Sequence, residues 1–457
     1  MATYTVSGGG TALEDCIRAL PATASATNPH IIFVEPGVYS PVVLTGKATT
    51  HGAAFSAGSK YHIIIGTNRD TCIVDGGGTD VCWQYQTNWL GTFCKIYNMT
   101  FRNGIAKAYP SGSNVIAAAV QLCGNARLVN CKICDCVLPP LYTRDDQGVA
   151  TKLLDSTLVH YCCLHGCEIC NNTCTGTSQM IETSCFGCNI HHNYYKSPSK
   201  TESETGTEFT SDGRSMICDY PSCGSPFGCE RCIIHHNTIA DKRSSSTGIK
   251  AKGANLCIFA FNENVGNSGH GIFYRAGFAG NGTGHPITHC IFYKNTGFRC
   301  LNNLNGDNQG KYENSVCIGN THPSGFITYL GTTGGGTQAE HCVTDTTTNV
   351  KSSNDHYNCI LTGVADAGWV DPDNLDFRLL PGSPLIGMGR TDVGKWYYDP
   401  KASQTFGWNY GPLTKHGDLS GRPFKEVPSI GCFEYYEDSD PLLPILHPPM
   451  FFNPFGR

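Results

Sequence analysis

"CKICDCVL" (Cys131–Leu138), "CEICNNTC" (Cys167–Cys174), "CNIHHNYY" (Cys188–Tyr195) and "CIIHHNTI" (Cys232–Ile239) are one phrase written four times. Related copies start at Cys94, Cys257 and Cys290, and weaker ones at Cys317, Cys342 and Cys359. The unit is Cys, any residue, Ile or Phe, then a turn with Asn. Most spacings between copies lie between 17 and 37 residues, with one of 44 between Cys188 and Cys232. A fixed phrase with variable spacers is the signature of a solenoid, because each coil must place one strand in register while its loops grow freely. Strand alternation sends Cys and Ile to one face and the residue between them to the other. Cys is then a small core residue stacked on its counterpart one coil away, ~4.8 Å distant.

Asn172, Asn193, Asn237, Asn262 and Asn295 each fall five places after the phrase Cys. That spacing predicts a column of buried side-chain amides at one corner of the coil, bonding backbone groups that the bend strands away from the sheets. A second register recurs in "GIKAKG" (from Gly248), "GIFYRAG" (from Gly271), "GFRCLN" (from Gly297) and "GFITYLG" (from Gly325), so each coil holds more than one strand.

Composition agrees. Glycine is abundant at 53 residues and only 15% of residues are charged, which excludes a coiled coil or a disordered acidic chain and fits an all-β protein rich in turns. The net charge of -5 offers no basic stripe for phosphates, so no nucleic-acid partner is expected. No apolar run is long enough to cross a bilayer. The opening "MATYTVSGGG" lacks the charged start and apolar core of a secretory leader. The 26 cysteines suit a core ladder of thiols better than a disulfide framework, which belongs to small domains without a core.

With these features the chain resembles a right-handed parallel β-helix of the pectate-lyase-like superfamily. Residues 1–30 resemble that family's N-terminal cap, with Thr11 and Glu14 as a capping box and Leu13, Cys16, Ile17 and Leu20 as one helical face. "IIFVEPGVYS" (from Ile31) and "IIIGTNRDTCIVDGGG" (from Ile63) resemble the first coils. "DFRLLPGSPLIGMG" (from Asp376) and "PSIGCFEYYE" (from Pro428) resemble the final coil and closing strand, so that the β-helix spans 31–437. A Pro-rich apolar arm follows over 438–457. It is too rich in proline for a helix and too apolar to be left in water, which suits docking onto a neighbouring virion or filament subunit.

The resemblance fixes a fold and not a function, since such helices serve lyases, glycosidases, phage tailspikes and adhesins. Alignment of the second register puts Lys252 and Arg275 at one outward position and Lys250 and Arg299 at the other. Four cations in one area suit an anionic glycan. β-Helix polysaccharide lyases use such groups to neutralise a uronate and abstract its proton. The resemblance therefore implies Lys250, Lys252 and Arg275 as catalytic residues, with His270 as the acid or base partner and Arg299 binding substrate. The competing reading is a face of solvated surface cations. Trp83 and Trp89, with Tyr85 between them, would form a sugar-stacking platform if they project outward, or core if they do not. Hydrolysis would need two carboxylates from among Asp155, Glu182, Glu208, Asp212 and Asp241. The insertion Lys196–Gly228 is a candidate binding wall.

Cys185, Cys188, Cys229 and Cys232 could converge on zinc, but inward cysteines in a dry stack are the simpler account. No metal or other cofactor is expected, with calcium compatible. Three functions follow in order of preference. The first is a phage virion surface protein of tailspike or head-fibre type that binds, and in one form depolymerises, a polysaccharide or cell-surface glycan. The second is an extracellular polysaccharide lyase or glycoside hydrolase. The third is an adhesin or filament subunit without chemistry.

Overall fold

The computed structural model describes residues 2–45, 61–86, 94–107, 117–196, 202–205, 215–218, 229–240, 249–251, 254–265, 272–274, 287–297, 311–321, 338–344, 356–361, 367–389 and 418–436, apart from a few short gaps inside these ranges. Two compact units share the chain. One comprises Met1–Gly228, His236–Lys250 and Asn264–Ser268, and the other Cys229–His235, Ala251–Glu263 and Gly269–Arg457.

In the first unit the chain passes through the same strand positions coil after coil. A first ladder stacks Thr3–Val6, His30–Val34, His62–Gly66, Cys94–Tyr97, Arg127–Val129, Cys163–His165 and Cys185–Phe186, all parallel. A second stacks Gly37–Tyr39, Cys72–Asp75, Thr100–Arg102, Lys132–Cys134, Glu168–Cys170 and Asn189–His191. A third stacks Val42–Thr45, Trp83–Gln86, Ala117–Gln121, Ser156–His160, Gln179–Glu182, Ser215–Cys218 and Ile249–Ala251. A short fourth ladder of two-residue strands runs from Val137–Leu138 to Thr238–Ile239. Parallel pairing between coils rather than between sequence neighbours makes this a parallel β-helix. The second unit repeats the first two ladders, through Cys229–Glu230 to His356–Tyr357 and through Ile233–His235 to Ile360–Leu361.

The repeated phrase is the second-ladder strand with the corners on either side of it. Its Cys enters from a corner and points inward, so that Cys131, Cys167 and Cys188 align in one unit and Cys232, Cys257 and Cys290 in the other. All six are buried. Size is one reason for cysteine here and a weak hydrogen bond is another. The thiols of Cys131, Cys167 and Cys188 donate to the carbonyls of Ile96, Leu128 and Leu164, one coil back, at 3.4–3.5 Å. The inward Ile or Phe continues the core, and Phe259 and Phe292 stack with centroids 4.9 Å apart.

Two copies of the phrase fall elsewhere. Cys94 lies in the first ladder opposite His62, because Met99 occupies the position that Cys131 takes in the next coil. Cys317 pairs with Phe292, leaving Ser315 opposite Cys290. Local spelling matched in both cases, but strand register is set by the neighbouring coil. Among the described residues twenty cysteines are thiols, and Cys163 is disulfide-bonded.

The strand ends on a residue in the left-handed region: Asn103, Asp135, Asn171, His192 and His236 in one unit, Phe261 and Lys294 in the other. This turns the chain sharply and leaves backbone groups pointing along the axis. From Asn171 onward, the following Asn satisfies them. Asn193 Oδ1 accepts from the Asn172 N–H at 3.1 Å and from its side-chain amide at 3.0 Å, while Asn193 Nδ2 donates to Ile169 O at 2.9 Å. Asn237 repeats the pattern on Asn193, and in the second unit Asn262, Asn295 and Asn320 form the same column. The paired histidines are explained by position. The second of each pair is the turn residue, and the rings of His192 and His236 stack at 5.2 Å within 2° of parallel.

The N-terminal helix, Ala12–Ala19, buries Leu13 and Ile17, whereas Cys16 is only half-buried. No capping box forms, since Thr11 makes no side-chain cap bond. Glu14 turns instead to Arg18 at 2.7 Å and to the N–H of Val43 at 3.1 Å, so it satisfies the edge of the third ladder. At the other end Trp369–Asp371 and Asp376–Leu379 form an antiparallel hairpin. Among the described residues of 428–436 no strand closes the solenoid. That segment is irregular and joins the hairpin over the outer side of the second ladder. There Ile258, Ile291, Val316 and Val343 are buried with Trp369, Phe377, Leu385, Leu419, Phe424, Ile430 and Phe433. The arm 438–457 lies outside the described residues.

Asn193→Ala should cost about 2–4 kcal/mol, since it strands a buried N–H and a buried carbonyl at once. Urea denaturation of the variant against wild type measures this, and an unchanged midpoint would show that the amide column is not what holds the corner.

Candidate functional site

Strand alternation leaves the second and fourth residues of each phrase, counted from the inward Cys position, facing outward on the second ladder. In the second unit, from Ile258 onward, these positions are apolar and buried, as described above. In the first unit they turn from apolar Val38 and Ile73 to polar groups: Thr100, Lys132, Glu168 and Asn189 continue that row, and Asp75, Arg102, Cys134, Cys170 and His191 form the other.

At one end of this face lies an open cleft of about 990 Å³, lined by residues 38–41, Asp75, Gly77, Gly78, residues 103–105, Asp135, Val137 and Pro139. Asp75 is its fixed point. Its carboxylate accepts from the Gly77 N–H at 2.8 Å, from Arg102 Nε at 2.7 Å and from the Asn103 amide at 3.0 and 3.2 Å. Burial pushes this carboxyl up, but the bonds from Gly77, Asn103 and Arg102 outweigh it and hold the group below its ordinary value. Asn103 and Asp135 enter the cleft from successive left-handed turn positions. Val38 and Val137, 51% and 50% exposed, give it an apolar rim.

Further along the same face Glu168 is the hub of an ion-pair network, with Arg69 at 3.3 Å, Lys132 at 3.2 Å and His191 at 3.4 Å. The His191 hydrogen bond leads, Lys132 and Arg69 add to it, and together they overcome burial to hold the Glu168 carboxyl at about 2.

The third ladder carries another polar row. Gln84, Gln121, His160, Glu182, Cys218 and Lys250 occupy one register position on successive strands. The alternate positions, Trp83, Val120, Val159, Ile181 and Ile249, are buried core. Gln84 donates to Gln121 at 2.8 Å at the start of the row. Register thus puts Lys250 at the same strand position as Glu182 and His160, residues that no local motif links to it.

Lys252, His270, Arg275, Arg299 and Trp89 lie outside the described residues, as do Asp155, Glu208, Asp212 and Asp241. Trp83 is not a sugar platform. It is fully buried and packs edge-on against Phe101, with centroids 6.1 Å apart. Tyr85 is likewise buried, 5.9 Å from the ring of His62. The stretch is an inner strand of the third ladder, so alternation drives both rings into the core. The thiols of Cys188 and Cys232 donate to backbone carbonyls of Phe186 and Glu230, and Cys185 and Cys229 are buried. Sequence reading missed Asp75, Asn103, Asp135 and Glu168 as a group. A signal was present for two of them, since Asp135 stands at the turn position and Glu168 at an outward position of phrase copies.

No family model matches the sequence, and no curated protein does. Among solved structures the chain is similar to ORF18 of Geobacillus virus E2, at 10% identity and a TM-score of 0.25, covering 79% of this chain and 60% of that one. Pectate lyase Pel9A matches at 9% identity and a TM-score of 0.32 over 95% and 97% of the two chains. The A-module of the mannuronan C-5 epimerase AlgE6 from Azotobacter vinelandii matches at 11% and 0.29, over 79% and 99%. Superpositions this loose carry no functional argument, and the fold stands on the ladders themselves.

The lowered titration of Asp75 gives a sign for acid stability. Its contribution is complete above the ordinary carboxyl value of 3.8 and is lost as pH falls through the lower folded value. Asp75→Asn should therefore cost about 1 kcal/mol at pH 7, the partial exposure of Arg102 limiting the loss. The difference from wild type should shrink below pH 3.8 when unfolding midpoints are compared across pH.

Proposed function

We propose that this chain is a glycan-binding β-helix protein of the virion-surface kind, tailspike or head-fibre, and that the cleft around Asp75 seats a sugar residue. The supporting observation is the make-up of that cleft. A sugar ring presents hydroxyls at its edge and C–H groups on its faces, and it is held by fixed polar groups beside apolar surface. Asp75, already oriented by three partners, offers acceptor oxygens that need no reordering. Asn103 and Asp135 add donor and acceptor groups, and Val38, Pro41, Val137 and Pro139 supply the apolar rim. Two carboxylates favour a neutral chain over a uronate one at this place. The virion setting rests on the sequence of the apolar arm, which suits a neighbouring subunit, and an extracellular protein is the other setting compatible with the cleft.

A second reading, polysaccharide cleavage, is favoured by the third-ladder row. His160, Glu182 and Lys250 at one register position supply an imidazole, a carboxylate and an amine, the groups that proton abstraction beside a uronate or acid–base hydrolysis requires. Lys252, Arg275, His270 and Arg299 belong to the same proposal as the anion-binding and proton-transfer groups of the neighbouring coils.

Binding to immobilised neutral and acidic polysaccharides tests the first reading. Asp75→Ala and Val137→Asp should each weaken binding at least tenfold, and binding untouched by both would remove the cleft from the account. For cleavage, incubation with uronate polysaccharides should produce an unsaturated product absorbing in the ultraviolet, lost in Lys250→Ala and Glu182→Gln. Absence of product from any acidic or neutral glycan leaves binding alone.

A further inference from the structure

Outside the cleft, Glu168, Cys170 and His191 place a carboxylate oxygen, a thiol sulfur and an imidazole nitrogen within 4.8 Å of one another. We propose that these three side chains form a binding site for a zinc-class divalent cation. The β-helix itself builds the triad. Glu168 and Cys170 are two apart on one strand and so share its outer face, and His191 is the register partner of Cys170 one coil on.

Two of the three donor separations match such an ion before any ligand moves. Bonds of about 2.0–2.3 Å in a tetrahedron put neighbouring donor atoms roughly 3.3–3.5 Å apart. His191 Nε2 is 3.4 Å from Glu168 Oε1, and Cys170 Sγ is 3.5 Å from the same oxygen. Cys170 is buried, while the side chains of Glu168 and His191 keep 20% and 17% exposure, which leaves an approach from solvent. The ring nitrogen of His191 that does not face Glu168 is held as well: Nδ1 lies 2.8 Å from His192 Nδ1. Second-sphere bonds of that kind orient metal-binding imidazoles. His192 is fixed in turn by its left-handed turn position and its stack on His236.

The donor set selects the metal. One sulfur, one nitrogen and one oxygen suit zinc and not calcium or magnesium, which take oxygen donors throughout. Lys132 and Arg69 oppose any cation at Glu168, since they sit 3.2 and 3.3 Å from its two oxygens. A hard ion gains too little from one carboxylate to displace Lys132. A thiophilic ion gains the Cys170 sulfur, binding with release of the thiol proton to solvent and leaving one coordination position for water.

Zinc titration of the full-length protein by calorimetry, and cobalt binding followed by absorption, test the site. Wild type should bind one ion with a thiolate-to-cobalt charge-transfer band. Cys170→Ser should lose that band, and His191→Gln should weaken zinc at least tenfold, with both variants retaining the wild-type circular dichroism spectrum. Lys132→Gln should tighten zinc at least threefold by removing the competing ammonium, a gain that scattered binding to other thiols would not show. Binding unchanged in Cys170→Ser and His191→Gln, or no binding at micromolar zinc, would overturn the proposal. A Lys132→Gln affinity equal to wild type would overturn the assignment of Glu168 as a ligand.

Discussion

The amide column at the corner after the second ladder is the constraint on which the rest depends. A parallel solenoid must turn sharply several times per coil, and each turn removes backbone N–H and C=O groups from the ladders that would satisfy them. Here one residue in the left-handed region makes the bend, and the next is an Asn, as at Asn193, whose single side chain both accepts from and donates to the backbone of the preceding coil. The same bonds fix register. If a coil slipped by one residue, its Asn would leave the column and its outward residues would turn into the core. That coupling explains why loops between coils vary so freely in length while the six-residue phrase hardly changes.

Register fixed in this way makes the outer face of the second ladder a separate surface, free to differ from place to place. In the second unit it carries Ile258, Ile291, Val316 and Val343 and is covered by the hairpin and the irregular segment after it. In the first it carries Lys132, Glu168, Cys170 and His191, with Asp75 and Asn103 beside them. The cost of covering charged groups keeps that second surface open. The cleft and the Glu168 cluster are consequences of the same alternation that builds the core, with only the residue between Cys and Ile changed.

The third ladder shows where reading by local phrase stops. The glycine-led copies drew attention to Lys250, but its partners in register are His160, Glu182 and Cys218, whose local sequences share no motif with it. Trp83 was misplaced as a possible platform for a related reason. A tryptophan in a short strand looks the same inward or outward until the adjacent coil supplies Val120 as its partner. Cys94 and Cys317 repeat the lesson, since each carries the spelling of the phrase and occupies another position in the coil.

The sequence by itself determined the class of fold, the inward column of cysteines in the phrase, the Asn corner and the turn role of the paired histidines. These depend on alternation and turn chemistry within six or eight residues, and such local preferences repeat visibly along the chain. Tertiary structure alone decided which residues meet between coils: Asp75 with Arg102 and Asn103, Glu168 with Arg69 and His191, and Lys250 in line with Glu182. Those partners are separated by variable loops, so their alignment is set by hydrogen-bond register between neighbouring coils, a quantity that no single stretch of sequence contains.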